Sequence, residues 1–294
     1  MIPRGSASGR AEAKLNLGLR ILGRRADGFH EISGVFHTVT LADSLCVTVE
    51  EGAGRICLEC DCPEVSTGEE NLVCRAAALF LEASGLSLDV SMRLGKEIPV
   101  AAGLGGGSSD AACTLRLLSR LTGTDPGLES LAERLGSDVP FLLRGGAAVV
   151  GGRGELVRSV EPGRFWAVIL HPPLRVRTAD AYAAWDARHP SLTIRAPLRD
   201  DRPPELAWHE GRPFPVSLCN DFLPLLLERY PVASEIAGRL DRACPAWGLS
   251  GSGPSFYGLF RTRAQAEAFG LSVPGRYSPA VCRSSDGIGA SSNW

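Results

Sequence analysis

The sequence predicts an α+β fold in two intimately packed domains, on three observations. Strand-like and helix-like segments alternate without the regular spacing of βαβ units. A glycine-rich turn runs straight into an apolar-striped helix. The length, 294 residues, exceeds what one hydrophobic core usually organises. Pro162 and Gly163 interrupt the pattern within residues 158–164, dividing 1–160 from 161–294.

Residues 1–10 are small, polar and Gly/Ser-rich, which reads as a loose terminus without the apolar segment of a secretory signal. Leu15, Leu17, Leu19 and Ile21 then alternate with Lys14, Asn16, Gly18 and Arg20, the period of a strand with one apolar and one polar face. A charged turn at 23–28 follows. Residues 35–41, 45–49 and 56–60 are further strands, and 71–83 is a helix with Leu72, Ala76, Leu79 and Phe80 on one stripe. Residues 88–94 return to alternation, and a helix runs from the glycine turn through Leu121. A short helix at 128–135 and a strand at 147–150 close the first half. In the second half, 165–170 is a buried strand and 197–215 a proline- and charge-rich loop. Helices are expected at 222–228, 234–243 and 264–269, with a strand–turn–strand at 249–260 and a small, polar stretch at 283–294.

Composition excludes several functions. The net charge is −2 and no basic block appears, so charge gives no support to a nucleic-acid partner. No apolar run reaches the roughly 18–20 residues that span a bilayer. The nine cysteines crowd most closely at Cys57, Cys60 and Cys62. These are either metal ligands or small strand fillers. The absence of a nearby histidine and the alternation through residues 56–60 favour fillers, with reduced thiols in the cytoplasm.

Residues 96–112 read KEIPVAAGLGGGSSDAA. Gly103, Gly105, Gly106 and Gly107 form an arc without side chains, leading into a helix with Ser108 or Ser109 as its expected N-cap. Glycines let backbone N–H groups approach an anion, and the helix N-terminus adds about half a positive charge, so the segment suits a polyphosphate. No Gly-Lys-Ser/Thr follows, as a Walker A loop requires, and Ser108 stands where a dinucleotide fingerprint needs glycine. Asp110 either favours the helix dipole in the first turn or approaches a bound Mg²⁺.

Lys14 and Asn16 point to the same side of their strand, either as an exposed polar face or as site residues. Asp138, in Gly-Ser-Asp-Val-Pro-Phe, is either the N-cap of a short helix or a catalytic acid. A carboxylate beside a lysine suits transfer of a phosphoryl group to an alcohol. The carboxylate accepts the hydroxyl proton, and the lysine keeps it ionised and steadies developing charge.

In this order the segments resemble the GHMP kinases. GLGGGSSDAA resembles that family's second motif, and LSGSGPSFYGLF at 249–260 its third, a glycine turn closing over the phosphate loop. AKLNLGLRILGRRADGFHE at 13–31 resembles the first motif of a branch whose substrate is a cytidine diphosphate-linked alcohol of isoprenoid precursor synthesis. GSDVPF, GRGE and Asn220-Asp221 add agreement, and the resemblance runs from about Ala11 to Phe260.

The resemblance implies a ribosomal-protein-S5-like N-terminal domain, a ferredoxin-like C-terminal domain, and ATP with Mg²⁺. It implies nucleotide contacts along Pro99, Val100, Ala101, Ala102, Gly103, Leu104, Gly105, Gly106, Gly107, Ser108 and Ser109, closed by Gly251, Ser252 and Gly253. Lys14 and Asp138 would be the catalytic pair, with Asp138 as base. Asn16, His30 and Thr178 would hold the substrate, and Phe29 and Tyr182 would offer rings to the cytosine, core packing being the alternative for both rings. Phe29 stands where the family usually has tyrosine, and His171-Pro172-Pro173 where it has HPG. His171 reads as a strand-end residue more than a catalytic one, and Asn220 as a helix cap or a substrate contact. The implied partner is a small molecule, acted on by a monomer or homodimer in the cytoplasm. Another GHMP kinase, such as homoserine kinase, and a non-catalytic nucleotide-binding regulator are the competing readings.

Overall fold

The computed structural model describes residues 5–161, 163–194 and 218–287, so the loop expected at 197–215 and the end of the polar stretch at 283–294 lie outside it. The chain divides into two compact units that interleave along the sequence. One takes the described parts of Met1–Ala13, Ala42–Val100 and Gly105–Arg144. The other takes Lys14–Leu41, Ala101–Leu104 and the described parts of Gly145–Trp294. Two long strands, β1 (Gly5–Arg25) and β2 (His30–Glu51), contribute to both.

In the first unit the end of β2 pairs antiparallel with β4 (Leu88–Gly95), which pairs in parallel with β3 (Ile56–Cys60). Between them lies α1 (Leu72–Ser84), capped by the Asn71 side chain on the Val73 N–H and ended by Gly85 at φ 66°. It packs on α2 (Gly106–Thr122), which is followed by α3 (Leu128–Leu135) and α4 (Val139–Arg144). The expected loose terminus is strand from Gly5 onward. Its small residues are there because α2 lies on them: a Cβ on Gly9 would come within 2.9 Å of Cys113 Sγ. The two strands expected at 35–41 and 45–49 are one, because Ala42, Asp43 and Ser44 continue it and both Ala42 and Asp43 are buried.

In the second unit β5 (Ala147–Gly151) pairs antiparallel with β2 and with β6 (Leu156–Val160). Next come β7 (Trp166–Leu170), α5 (Thr178–Arg188) and the short β8 (Thr193–Ile194), parallel to β1. The chain closes with α6 (Leu223–Arg229), α7 (Pro231–Ala243), β9 (Ala246–Leu249), β10 (Phe256–Phe260), α8 (Arg263–Ser272) and β11 (Ala280–Arg283). The last sheet has the order β11-β7-β10-β9 with antiparallel neighbours. Its strands are thus ordered fourth, first, third, second, with α7 and α8 as the crossover helices packed on it. That is the ferredoxin-like arrangement.

Behind this framework His37 is fully buried, with Nδ1 bonded to the Thr38 carbonyl at 2.8 Å and its ring edge-on to Phe165. Burial depresses its pKa from 6.5 to about 4. Below about pH 6.5 the unfolded chain takes up a proton that the folded chain refuses, so this contribution to stability is intact above 6.5 and is lost towards 4. From about pH 7.5 to 5 the loss is about 2 kcal/mol. Urea titrations should therefore show His37→Gln losing about 2 kcal/mol less than the parent over that interval. Equal losses would contradict a neutral buried His37.

Candidate active site

The glycine turn joins β4 to α2, and backbone conformation dictates its composition. Gly103 and Gly105 have φ of 76° and 72°, and Ala101 is also left-handed at 54°. A Cβ on Gly103 would collide with the Ser250 carbonyl oxygen and stand 2.9 Å from that of Gly253. Gly105, rather than Ser108 or Ser109, is the N-cap of α2, and no side chain caps it. Ser109 lies inside the helix, with its N–H on the Gly105 carbonyl and its hydroxyl on the Glu12 carbonyl at 2.7 Å. The first N–H groups of α2 are thus uncapped by side chains, with the exposed Gly107 and half-buried Ser108 beside them, a cradle suited to an anion. Pro99 is half-buried, Val100 exposed, and Ala102 and Leu104 buried, so those two anchor the turn by packing.

Asp110 departs from both sequence-based expectations. It is the fifth residue of α2, beyond the first turn, and 2% exposed. Its Oδ2 accepts the Lys96 ammonium at 2.8 Å, and the same ammonium bonds Asp43. Burial, aided by the negative Asp43 and opposed by Lys96, pushes Asp110 up to about 7. Among the described residues no three His, Cys, Asp or Glu side chains are grouped to hold a metal. Lys96 and Asp43 escaped the sequence reading; the one legible signal was an aspartate in a run that otherwise patterns as buried strand.

In the second unit, the supposed polar face of β1 is buried: Lys14 is 4% and Asn16 1% exposed. Lys14 Nζ donates to Asn16 Oδ1 at 2.6 Å and lies 4.7 Å from the centre of the Phe36 ring. Asn16 Oδ1 also accepts the Gly251 N–H at 2.7 Å, and the Asn16 carbonyl accepts the Tyr257 hydroxyl at 2.8 Å. Ser250 donates to the Gly103 carbonyl at 2.9 Å, and the Lys14 N–H to that of Leu104 at 2.9 Å. The turn through Gly251, Ser252 and Gly253 is thereby fixed against residues 101–104, with Thr178 Oγ1 3.1 Å from Ser252 Oγ. Asn220 donates to the carbonyls of Leu249 and Gly251 and caps the Phe222 N–H, so it braces backbone on both sides. His171 directly follows β7, with Nδ1 3.1 Å from Ser255 Oγ, and burial lowers its pKa.

The turn after β1 is made by Gly28 at φ 86°, with Asp27 accepting the Phe29 N–H. The Phe29 ring is 51% exposed, which removes core packing as its role, and the Arg153 guanidinium stands 4.7 Å from its centre. His30 turns the other way. It stacks on Tyr182 at 4.4 Å, meets Trp185 edge-on, and places Nε2 2.7 Å from Asp186 Oδ1. Tyr182 in turn stands edge-on to Phe222 at 4.9 Å. All three partners of His30 lie on α5, a helix the sequence reading missed because only Ala181 and Trp185 are buried along it. His30 and Tyr182 are thus together, whereas Phe29 presents a separate, open ring. Asp138 precedes α4 in the first unit, its carbonyl accepting the Leu142 N–H, and Lys14 belongs to the second.

Known proteins share this architecture. A family model described as the GHMP kinases N terminal domain matches residues 71–146. A 4-diphosphocytidyl-2-C-methyl-D-erythritol kinase of Heliobacterium modesticaldum is 40% identical over 289 residues, covering 92% of this chain and 91% of its own. One of Solibacter usitatus is 41% identical over 262 residues, covering 86% and 81%. Among solved structures, a 4-(cytidine 5'-diphospho)-2C-methyl-D-erythritol kinase matches with TM-score 0.78 at 33% identity, over 96% of this chain and all of its own. A homoserine kinase from Cytophaga hutchinsonii matches with TM-score 0.65 at 20% identity over 96% and 95%, a likeness of fold alone.

Proposed function

Because the chain belongs to the 4-diphosphocytidyl-2-C-methyl-D-erythritol kinases and has the GHMP kinase fold, we propose that it transfers the γ-phosphoryl group of ATP to a hydroxyl of that cytidine-linked alcohol. The observation carrying this reading is identity of about 40% sustained over nine-tenths of both chains. The weaker likeness to homoserine kinase, at 20% identity, gives no comparable support to an amino-acid substrate.

In this reading the uncapped start of α2 holds the ATP phosphates through backbone N–H groups, with residues 99–109 as the nucleotide segment and 251–253 as its closing turn. The substrate hydroxyl oxygen bonds to the γ-phosphorus as the bond to the β–γ bridging oxygen breaks, and ADP leaves. Asp138 takes the hydroxyl proton, and Lys14 stabilises charge on the transferring group. Mg²⁺ would enter with the nucleotide phosphates; Asp110, committed to Lys96, does not fit as its ligand, and no described residue is assigned to it. Residues 1–160 and 161–294 are proposed as the two kinase domains, the first enclosing the family match at 71–146. Among the described residues no helix is long and apolar enough to cross a membrane, and the nine cysteines are free thiols. The reading takes the enzyme as a cytoplasmic monomer or homodimer acting on a small molecule, without nucleic acid.

Asp186 fixes the His30 ring through Nε2. In this reading His30 Nδ1 is the contact to the cytosine, with Asn16 and Thr178 as further polar contacts to the substrate. Phe29 contributes its open face and Tyr182 the wall behind His30. Stacking on an aromatic face contributes about 1–3 kcal/mol, so Phe29→Ala should raise KM for the cytidine substrate roughly 10-fold while Phe29→Tyr is tolerated. His30→Ala should erode selectivity for cytidine. Steady-state kinetics with each substrate varied in turn decide the matter. Shifts confined to the ATP parameters would assign this turn to the donor and remove the support it gives the substrate.

A further inference from the structure

We infer that Asp43, Lys96 and Asp110 form a buried clamp that positions the phosphate-binding turn, so that Lys96 governs nucleotide affinity without touching nucleotide. The inference rests on the reading of that turn as the ATP site.

Three elements meet at one ammonium. Asp43, on β2, accepts the N–H groups of Glu97 and Ile98 on Oδ1 at 2.7 and 2.8 Å, and Lys96 on Oδ2. Lys96, directly after β4, reaches across to Asp110 on α2. The segment entering the turn and the helix leaving it are therefore tied at their bases, with residues 99–105 arched between them. The tie is tight. A Cβ on Gly106, the first helical residue, would stand 3.1 Å from Ile98 Cγ2 and 3.4 Å from Lys96 Nζ. Lys96, Asp43 and Asp110 side chains are 6%, 0% and 3% exposed, so none is placed to meet solvent or a ligand.

A buried ion pair seldom stabilises a fold more than apolar residues of the same volume would. Its value here is directional. The bonds set where the first N–H groups of α2 point, and the ammonium offsets the negative charge that Asp43 and Asp110 would otherwise hold beside an anion site. Asp110 Oδ1 has no hydrogen-bond partner among the described residues, and its Oδ2 accepts the Lys96 ammonium.

A clamp that only holds the fold and one that positions the turn differ in a measurable way. Lys96→Met should weaken ATP binding about 10-fold or more and leave KM for the alcohol within about 2-fold. The triple variant Asp43→Asn, Lys96→Met, Asp110→Leu keeps an acceptor for the Glu97 and Ile98 N–H groups and removes the buried charges. It should recover the urea stability lost in Lys96→Met and still bind ATP about 10-fold more weakly than the parent. Calorimetry with MgATP and urea titration are run on all three proteins. Parental ATP affinity in the folded triple variant, or in Lys96→Met itself, would overturn the inference. Failure of the unmodified chain to bind ATP would instead strike the reading of the turn.

Discussion

Asp138→Asn is expected to lower turnover about 100-fold or more while leaving ATP affinity within a few-fold. The amide keeps the size and most of the hydrogen bonding of the carboxylate but cannot accept the proton of the attacking hydroxyl. A general base is typically worth about 10²–10⁴-fold, so the effect should fall on kcat and on kcat/KM alike. Asp138 directly precedes α4, whose Val139, Pro140, Phe141 and Leu142 are buried, so local backbone conformation should survive the change. Thermal denaturation of the variant checks this. A folded Asp138→Asn with near-parental turnover would remove the residue from the chemistry.

The second large effect separates two reasons for glycine in one turn. At Gly103 a methyl group meets two backbone carbonyls at a positive φ, and neither carbonyl can move without shifting the turn at 250–253. Gly103→Ala should therefore cost about 3 kcal/mol or more of stability, and ATP affinity with it. At Gly107 a methyl group would meet only Leu72 Cδ1, at an ordinary 3.9 Å. Gly107→Ala should leave stability within about 0.5 kcal/mol and weaken ATP binding about 10-fold if backbone approach to phosphate occurs there. Urea titration and ATP calorimetry on both variants give the comparison. Equal stability in the two, or unchanged ATP affinity in Gly107→Ala, would contradict the account of the turn.

Much of this was legible in residues that obey local rules. Asn71 and Gly85 bracket α1 as cap chemistry requires, and 128–135 is a helix to the residue. What local rules missed was decided by tertiary partners. Lys14 and Asn16 look like a solvent-facing strand edge until Ser250 and Gly251 arrive from more than two hundred residues away. Residues 5–9 lack bulk because α2 lies against them, a reason that sits a hundred residues downstream. α5 shows no strong apolar stripe because His30 and Phe222 pack on its aromatic and polar side chains. Ser109 has the chemistry of an N-cap, but φ at Gly105 starts the helix earlier. The clamp at Lys96 was beyond sequence reading, since Asp43, Lys96 and Asp110 are neighbours in space alone.

The central claim is phosphoryl transfer to a cytidine-linked alcohol, and product formation tests it most directly. The purified chain is incubated with MgATP and, in separate reactions, 4-diphosphocytidyl-2-C-methyl-D-erythritol, homoserine or mevalonate, with ADP followed by a coupled assay and the product by phosphorus NMR. The account predicts ADP release with the cytidine substrate in step with a new phosphomonoester signal, at a kcat/KM at least about 10²-fold above either alternative. Equal or greater turnover of homoserine or mevalonate, or no phosphomonoester with the cytidine substrate, would contradict it.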